Sequence, residues 1–226
     1  MAPGARRSSR RTEALSRERI VEAAVELLDA AGEGGLTFRA LTERLATGAG
    51  AIYWHVANKD ELLAAATDAV VADALAAEAQ PGVHAVALGL YEAIDEHPWL
   101  ATQLATQLSR SPRGPVTPRI FESLGRQVRA LGVPEENWFT ATSVLVHYVL
   151  GAAGQNAVNS RVLEEGTDRA EFLHDVSTAW EALDPDDYPV ARALAAQLRE
   201  HDDREQFLAG IDLVLAGIAA GSRSGG

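Results

Sequence analysis

Residues 36–63 read LTFRALTERLATGAGAIYWHVANKDELL, and the fold turns on this stretch. Thr37 suits the N-cap of a short helix over Phe38 to Leu45, because a threonine hydroxyl accepts from amides the first turn leaves unpaired. Thr47-Gly48 turns the chain into a second short helix, about Ala49 to His55. Asn58, with Glu61 three residues on, marks the start of a longer helix reaching about Ala79. The cluster Tyr53-Trp54-His55 therefore stands at the end of a helix only about two turns long. So short a helix buries little, and large polar-tipped rings at its end suit a partner. The geometry is helix-turn-helix, with the second short helix offered to a DNA groove.

Upstream, Ile20, Ala23, Ala24, Leu27, Leu28 and Ala31 recur at i, i+3, i+4 and i+7, which predicts a helix from Ser16 to Ala31 stopped by Gly32, Gly34 and Gly35. Downstream, every apolar segment keeps helical period. Helices are expected near 83–96, 98–109, 116–131, 135–160, 168–183, 187–200 and 203–220, with breakers at Pro81-Gly82, Pro98, residues 111–115, Gly132 to Pro134, Gly166 and Asp184-Pro185. No segment alternates with period two and no solenoid repeat occurs. The fold class is all-α: a flexible basic arm over 1–12, a helix-turn-helix domain over 13–60, and a larger helical body for ligand binding and dimerisation over 61–226.

Composition narrows the function. The 226 residues include no cysteine, which excludes disulfides, thiolate metal sites and cysteine nucleophiles. A charged N-terminus without an apolar leader, and no run of about 18 apolar residues, predict a cytoplasmic protein with no membrane partner. The net charge of −12 is unevenly spread. Residues 1–19 hold six arginines against two acids, a charge of +4, whereas residues 61–226 hold 11 bases against 24 acids. A basic head on an acidic body suits a DNA-reading end and a body that avoids DNA.

Enzyme chemistry finds little support. Glu171 and His174 have the Glu-x-x-His spacing of di-iron bundles, but such sites need a second copy, and none exists. The six histidines are dispersed, and no phosphate-binding loop or Gly-x-Ser-x-Gly elbow occurs. No catalytic residue, metal or cofactor is expected. The competing readings are a helical metalloenzyme and a ligand-independent DNA-binding activator.

Within the head, Ala49, Gly50 and Ala51 let the second short helix approach the major groove, where Ala51 can touch a thymine methyl. Tyr53 and His55 can hydrogen-bond phosphates or base edges. Trp54 either joins them or plugs the domain core. Thr47 in the turn, Thr37 and Arg39 at the start of the first short helix, and Lys59 at the start of the long one are expected against the backbone. Arg6, Arg7, Arg10 and Arg11, on a mobile leash, can enter a minor groove.

The same stretch resembles the helix-turn-helix of the TetR repressor family, carried by Gly35-Leu36-Thr37, Arg39, Leu41, Leu45, Tyr53-Trp54-His55-Val56 and Asn58 to Leu63. More weakly, His97-Pro98-Trp99, His147 to Gly151 and Phe207 to Gly217 resemble the regulatory domain of tetracycline repressors. Ala46 and Thr47 depart from the family's usual glycine and aliphatic residue, and Thr42 from its alanine.

The resemblance implies a homodimer on a palindromic double-stranded operator, released by a small-molecule effector of unknown identity. Helices 135–160 and 203–220 would form a four-helix interface with their mates, the latter through Phe207, Ile211, Val214, Leu215 and Ile218, with Gly210 and Gly217 permitting close approach. An intramolecular core stripe is the alternative reading of either helix. Pocket candidates are aromatic or polar residues within apolar helices: Trp99, Gln103, Gln107, Gln127, Trp138, His147, Gln155 and Trp180. His147 aligns with a family pocket histidine. Gln155 replaces a carboxylate of metal-dependent tetracycline binders, and the loop 109–115 lacks a histidine, so a metal-bound tetracycline is disfavoured. Ligand in the body would shift the long helix that starts at Asn58 and spread the two heads.

Overall fold

The computed structural model describes residues 15–76, 82–164 and 168–224. Among them stand eleven α-helices and no strand: α1 (Arg17–Gly35), α2 (Phe38–Leu45), α3 (Ala49–Tyr53), α4 (Lys59–Ala76), α5 (Val83–Glu96), α6 (Trp99–Arg110), α7 (Val116–Ala130), α8 (Trp138–Glu164), α9 (Arg169–Glu181), α10 (Pro189–Arg199) and α11 (Asp203–Ser224). A 3₁₀ turn, Glu135–Asn137, precedes α8. Described residues up to Ala66 form one compact unit and those from Thr67 a second, with α4 running from one into the other. The division thus falls within this helix and not at its start, where the sequence pattern puts it.

The helices of the first unit begin where side chains satisfy their orphan amides. Ser16 Oγ accepts from the Arg19 amide at 3.3 Å. Asn58 Oδ1 accepts from the Glu61 amide at 2.8 Å, while Glu61 Oε2 reaches back to the amide of Ala57, one residue before the expected partner. Leu36, Leu41, Ile52 and Val56 close over Ile20, Ala23, Ala24 and Leu28 to make the core of this unit. The expected stop of α1 is a kink instead. Ala31 and Gly32 leave helical geometry, Gly32 at φ 59°, and helix resumes to Gly35. The kink turns Ala31, expected on the buried stripe, out to solvent.

In the second unit α8 runs against α5, α6, α7 and α11, and α9 and α10 pack on each other as a hairpin. Leu145, Val146, Val149 and Ala153 give α8 its inward face, against Leu90, Ile94, Leu100, Leu104 and Leu124. The apolar stripe of α11 divides. Phe207 and Ile211 are buried in the chain's own core, where the Phe207 ring lies 4.6 Å from Tyr91 and 5.8 Å from Tyr148. Val214, Leu215 and Ile218 are only half-buried, and Leu213 is 76% exposed. Gly210 also differs from expectation. A Cβ there would collide with Tyr148 Oη, so this glycine serves the α8–α11 contact within one chain, while Gly217 has open space.

Candidate nucleic-acid interface

The helix-turn-helix is assembled from short elements whose ends are individually secured. Thr37 Oγ1 accepts from the Ala40 amide at 3.1 Å and starts α2. Ala46 ends it in the left-handed region at φ 50°, its amide donating to Thr42 and Glu43 carbonyls. A left-handed C-cap usually falls to glycine, because a Cβ crowds the following backbone. Gly48 then leads into α3 without any side-chain cap, and around both Gly48 and Gly50 there is open space. Ile52, fully buried, is the anchor of α3.

That anchoring sets where the rings point. Tyr53 is exposed and stacks on Phe38 of α2, with centroids 4.5 Å apart and planes 17° apart. Trp54 is 90% exposed, which removes it from the core and leaves its surface open to a partner. Ala51 and His55 are half-buried beside them, and Thr47 is half-buried in the turn. Phe38 was not among the expected site residues. Helical period puts it on the stripe of Leu41 and Leu45, and it is half-buried.

The cations of this unit are engaged with its own atoms. Arg39 Nε donates to Glu43 Oε1 at 2.9 Å, Arg17 pairs with Glu61 at 3.2 Å, and Arg44 pairs with Glu26. Lys59, the single lysine, donates from Nζ to the carbonyl of Glu33 at 2.5 Å, beside the α1 kink. These exposed pairs are weak, so phosphate can compete for the arginines. Glu18 is held below the usual carboxylate range by hydrogen bonds, first from its own backbone and then from Ser16. The arm residues Arg6, Arg7, Arg10 and Arg11 lie outside the described residues.

The eight pocket candidates of the second unit fall into different settings. Trp99, Gln103 and Gln107 follow one another on the buried face of α6. Gln127 on α7 and Trp180 on α9 are half-buried. Trp138 donates its indole N–H to the Val133 carbonyl at 2.7 Å, under the Arg129 guanidinium. His147 and Gln155, in contrast, are exposed, Gln155 donating to Asn159 at 3.1 Å. The reason is helical phase: Leu145, Val149 and Ala153 take the inward face of α8, and positions 147 and 155 share an outward stripe with Val144, Gly151 and Val158. Among the described residues no group of three or more histidines and acids is placed to hold a metal ion, and no helix is long and apolar enough to cross a membrane.

Residues 20–66 match the family of bacterial regulatory proteins of tetR type, and residues 78–221 match the tetracyclin repressor-like C-terminal domain. An HTH-type transcriptional regulator of Saccharopolyspora erythraea is 33% identical over 97% of this chain and 93% of its own. The solved structure of SCO7222, a TetR regulator from Streptomyces coelicolor, is 70% identical and superposes with a TM-score of 0.85 over 92% of this chain and 99% of that one. The Streptomyces coelicolor TetR family protein ActR, solved in complex with actinorhodin, is 27% identical with a TM-score of 0.76 over 92% and 97% of the two chains.

Proposed function

The chain belongs to the TetR family of transcriptional regulators, and we propose that it is a repressor, bound as a homodimer to a palindromic operator and released by a small molecule. The observation that carries the DNA reading is the outward presentation of Tyr53 and Trp54 at the end of α3, with Ile52 holding that helix in place. Thr37, Arg39, Thr47, Ala51, His55 and Lys59 complete the contact set, and Arg6, Arg7, Arg10 and Arg11 extend it. Arg39 exchanges Glu43 for a phosphate on binding, and Lys59 its carbonyl.

Two heads must lie about 34–36 Å apart to read successive major grooves, which requires a dimer. Support for self-association comes from the outward stripe of α8 with exposed Val144 and Val158, from exposed Leu213 on α11, and from the apolar groove of about 400 Å³ that Val144, Leu213 and Gly217 help to line. The effector is received in the second unit, with Trp99, Gln103 and Gln107 the nearest to a buried polar ladder. Gln127, Trp138 and Trp180 are half-buried, and His147 and Gln155 have their place on the outward stripe. Release works through α4, the helix common to both units. An effector lowers operator affinity only as far as it prefers the released state, about 1.4 kcal/mol for each tenfold.

The test is fluorescence anisotropy against DNA from the region upstream of the chain's own gene, beside scrambled DNA, over a salt series. Salt-sensitive binding that prefers the native sequence, at two chains per palindrome, is expected. Equal weak binding to both DNAs would reject specific reading at that site.

A further inference from the structure

The stack of Phe38 on Tyr53 joins the two short helices at the ends that are farthest apart along the chain. Phe38 is the first residue of α2 and Tyr53 the last of α3. Each ring is placed by a buried neighbour. Leu41, just under one turn after Phe38, is fully buried, and so is Ile52, the residue before Tyr53. At 3.6 residues per turn, Phe38 is displaced from Leu41 by about 60° around its helix, and Tyr53 from Ile52 by about 100°. Both rings emerge at the margin of the core, Phe38 half-buried and Tyr53 52% exposed. There they meet face to face, with centroids 4.5 Å apart, at the close end of the range for stacked rings.

The two rings have unequal parts. Phe38 has no polar side-chain atom with which to hydrogen-bond a phosphate or a base edge. Tyr53 gives one ring face to Phe38 and keeps its phenol for a partner. An exposed tyrosine without such support samples several staggered χ1 rotamers, and it loses that freedom on binding. A ring already held against Phe38 has lost it in folding. The helices themselves are fixed by other means. Thr37 Oγ1 accepts from the Ala40 amide at the start of α2, and buried Ile52 anchors α3. The stack therefore adds side-chain orientation to a motif whose backbone is already secured.

We propose that Phe38 is a positioning residue for operator recognition, its ring presetting Tyr53 in the orientation that meets DNA. This role rests on the DNA reading of α3 and goes beyond it, because Phe38 acts through Tyr53. Removing the stack returns rotamer freedom to Tyr53. Its loss on binding then weakens the operator complex about threefold to tenfold.

The test is a double-mutant cycle on the full chain, read by fluorescence anisotropy over a salt series. The probe is the duplex that the unsubstituted chain enriches from a random pool. Phe38→Leu keeps an apolar side chain at this half-buried position and removes the ring. It should weaken binding about threefold to tenfold. The slope of log affinity against log salt should not change, because no cation is lost. Phe38→Tyr, which restores a ring, should bind as the unsubstituted chain does. Tyr53→Ala should weaken binding, and in that background Phe38→Leu should have no further effect, since no ring is left to position. A merely structural Phe38 would lower the thermal midpoint and weaken binding equally in both backgrounds, and that result overturns the proposal. Unchanged binding by Phe38→Leu overturns it as well. If the pool yields no enriched sequence, the DNA reading itself falls and takes the role of Phe38 with it, an outcome distinct from the other two.

Discussion

Trp54 and Ala46 are single residues whose settings carry separable consequences. Trp54 lies 90% exposed, so replacing it with alanine removes almost no packing. Trp54→Ala should leave the thermal midpoint nearly unchanged and weaken operator binding by about 1–3 kcal/mol, read by anisotropy. A large fall in stability with operator affinity intact would instead make it a structural residue. Ala46 is the one non-glycine residue with positive φ among those described. The left-handed region costs an L-residue about 1–2 kcal/mol, and that cost is relieved by glycine. Ala46→Gly should raise the denaturation midpoint by about 1 kcal/mol in equivalent free energy. A fall in the midpoint would mean that the methyl group is held by contacts worth more than the strain.

At the scale of elements, α8 and α11 are locked by one close approach. Tyr148 Oη donates to the Phe207 carbonyl at 3.0 Å across the space where Gly210 lacks a Cβ. Gly210→Ala adds helix propensity of about 1 kcal/mol but displaces a half-buried phenol. The displacement outweighs the gain, so chemical denaturation should show a net destabilisation of about 1–2 kcal/mol, and a stabilised variant would show that the phenol moves aside freely. The proposed role of residues 1–12 rests on charge, and it is tested by truncation. Deleting residues 2–12 removes Arg6, Arg7, Arg10 and Arg11. For every phosphate the arm neutralises, its removal should take about 0.9 from the slope of log affinity against log salt. Identical slopes with and without the arm would eliminate it from the interface.

At the scale of the molecule, dimerisation and DNA reading are one property, because a single head meets only half of a palindrome. Leu213 is 76% exposed and lines the apolar groove between α8 and α11. Leu213→Glu puts an unpaired carboxylate into any interface formed there. Sedimentation should show monomers, and operator affinity at fixed protein concentration should fall at least about tenfold. Intact dimers would place the self-association surface elsewhere. The acidic second unit and the arginine-bearing head complement this arrangement, since like charge holds the body away from the duplex.

The all-α class and the bounds of nearly every helix were legible in the sequence. Period, caps and breakers act within a few residues, so Thr37, Asn58 and the glycine-proline breaks could be read locally. The family was legible too, through the strings around Tyr53 to His55 and Asn58 to Leu63. Which face of a helix meets what was decided by tertiary packing. Trp54 was open between core and partner until Ile52 took the buried position. His147 broke an apolar run and looked like a pocket residue, yet the phase of α8 turns it outward. The α11 stripe read as one continuous surface, and only its packing divided it into Phe207 and Ile211, buried in the chain's own core, and Val214, Leu215 and Ile218, left half-buried. The physical reason is common to all three: periodicity reports that a face is apolar, but burial is settled by the neighbouring elements, which are distant in sequence.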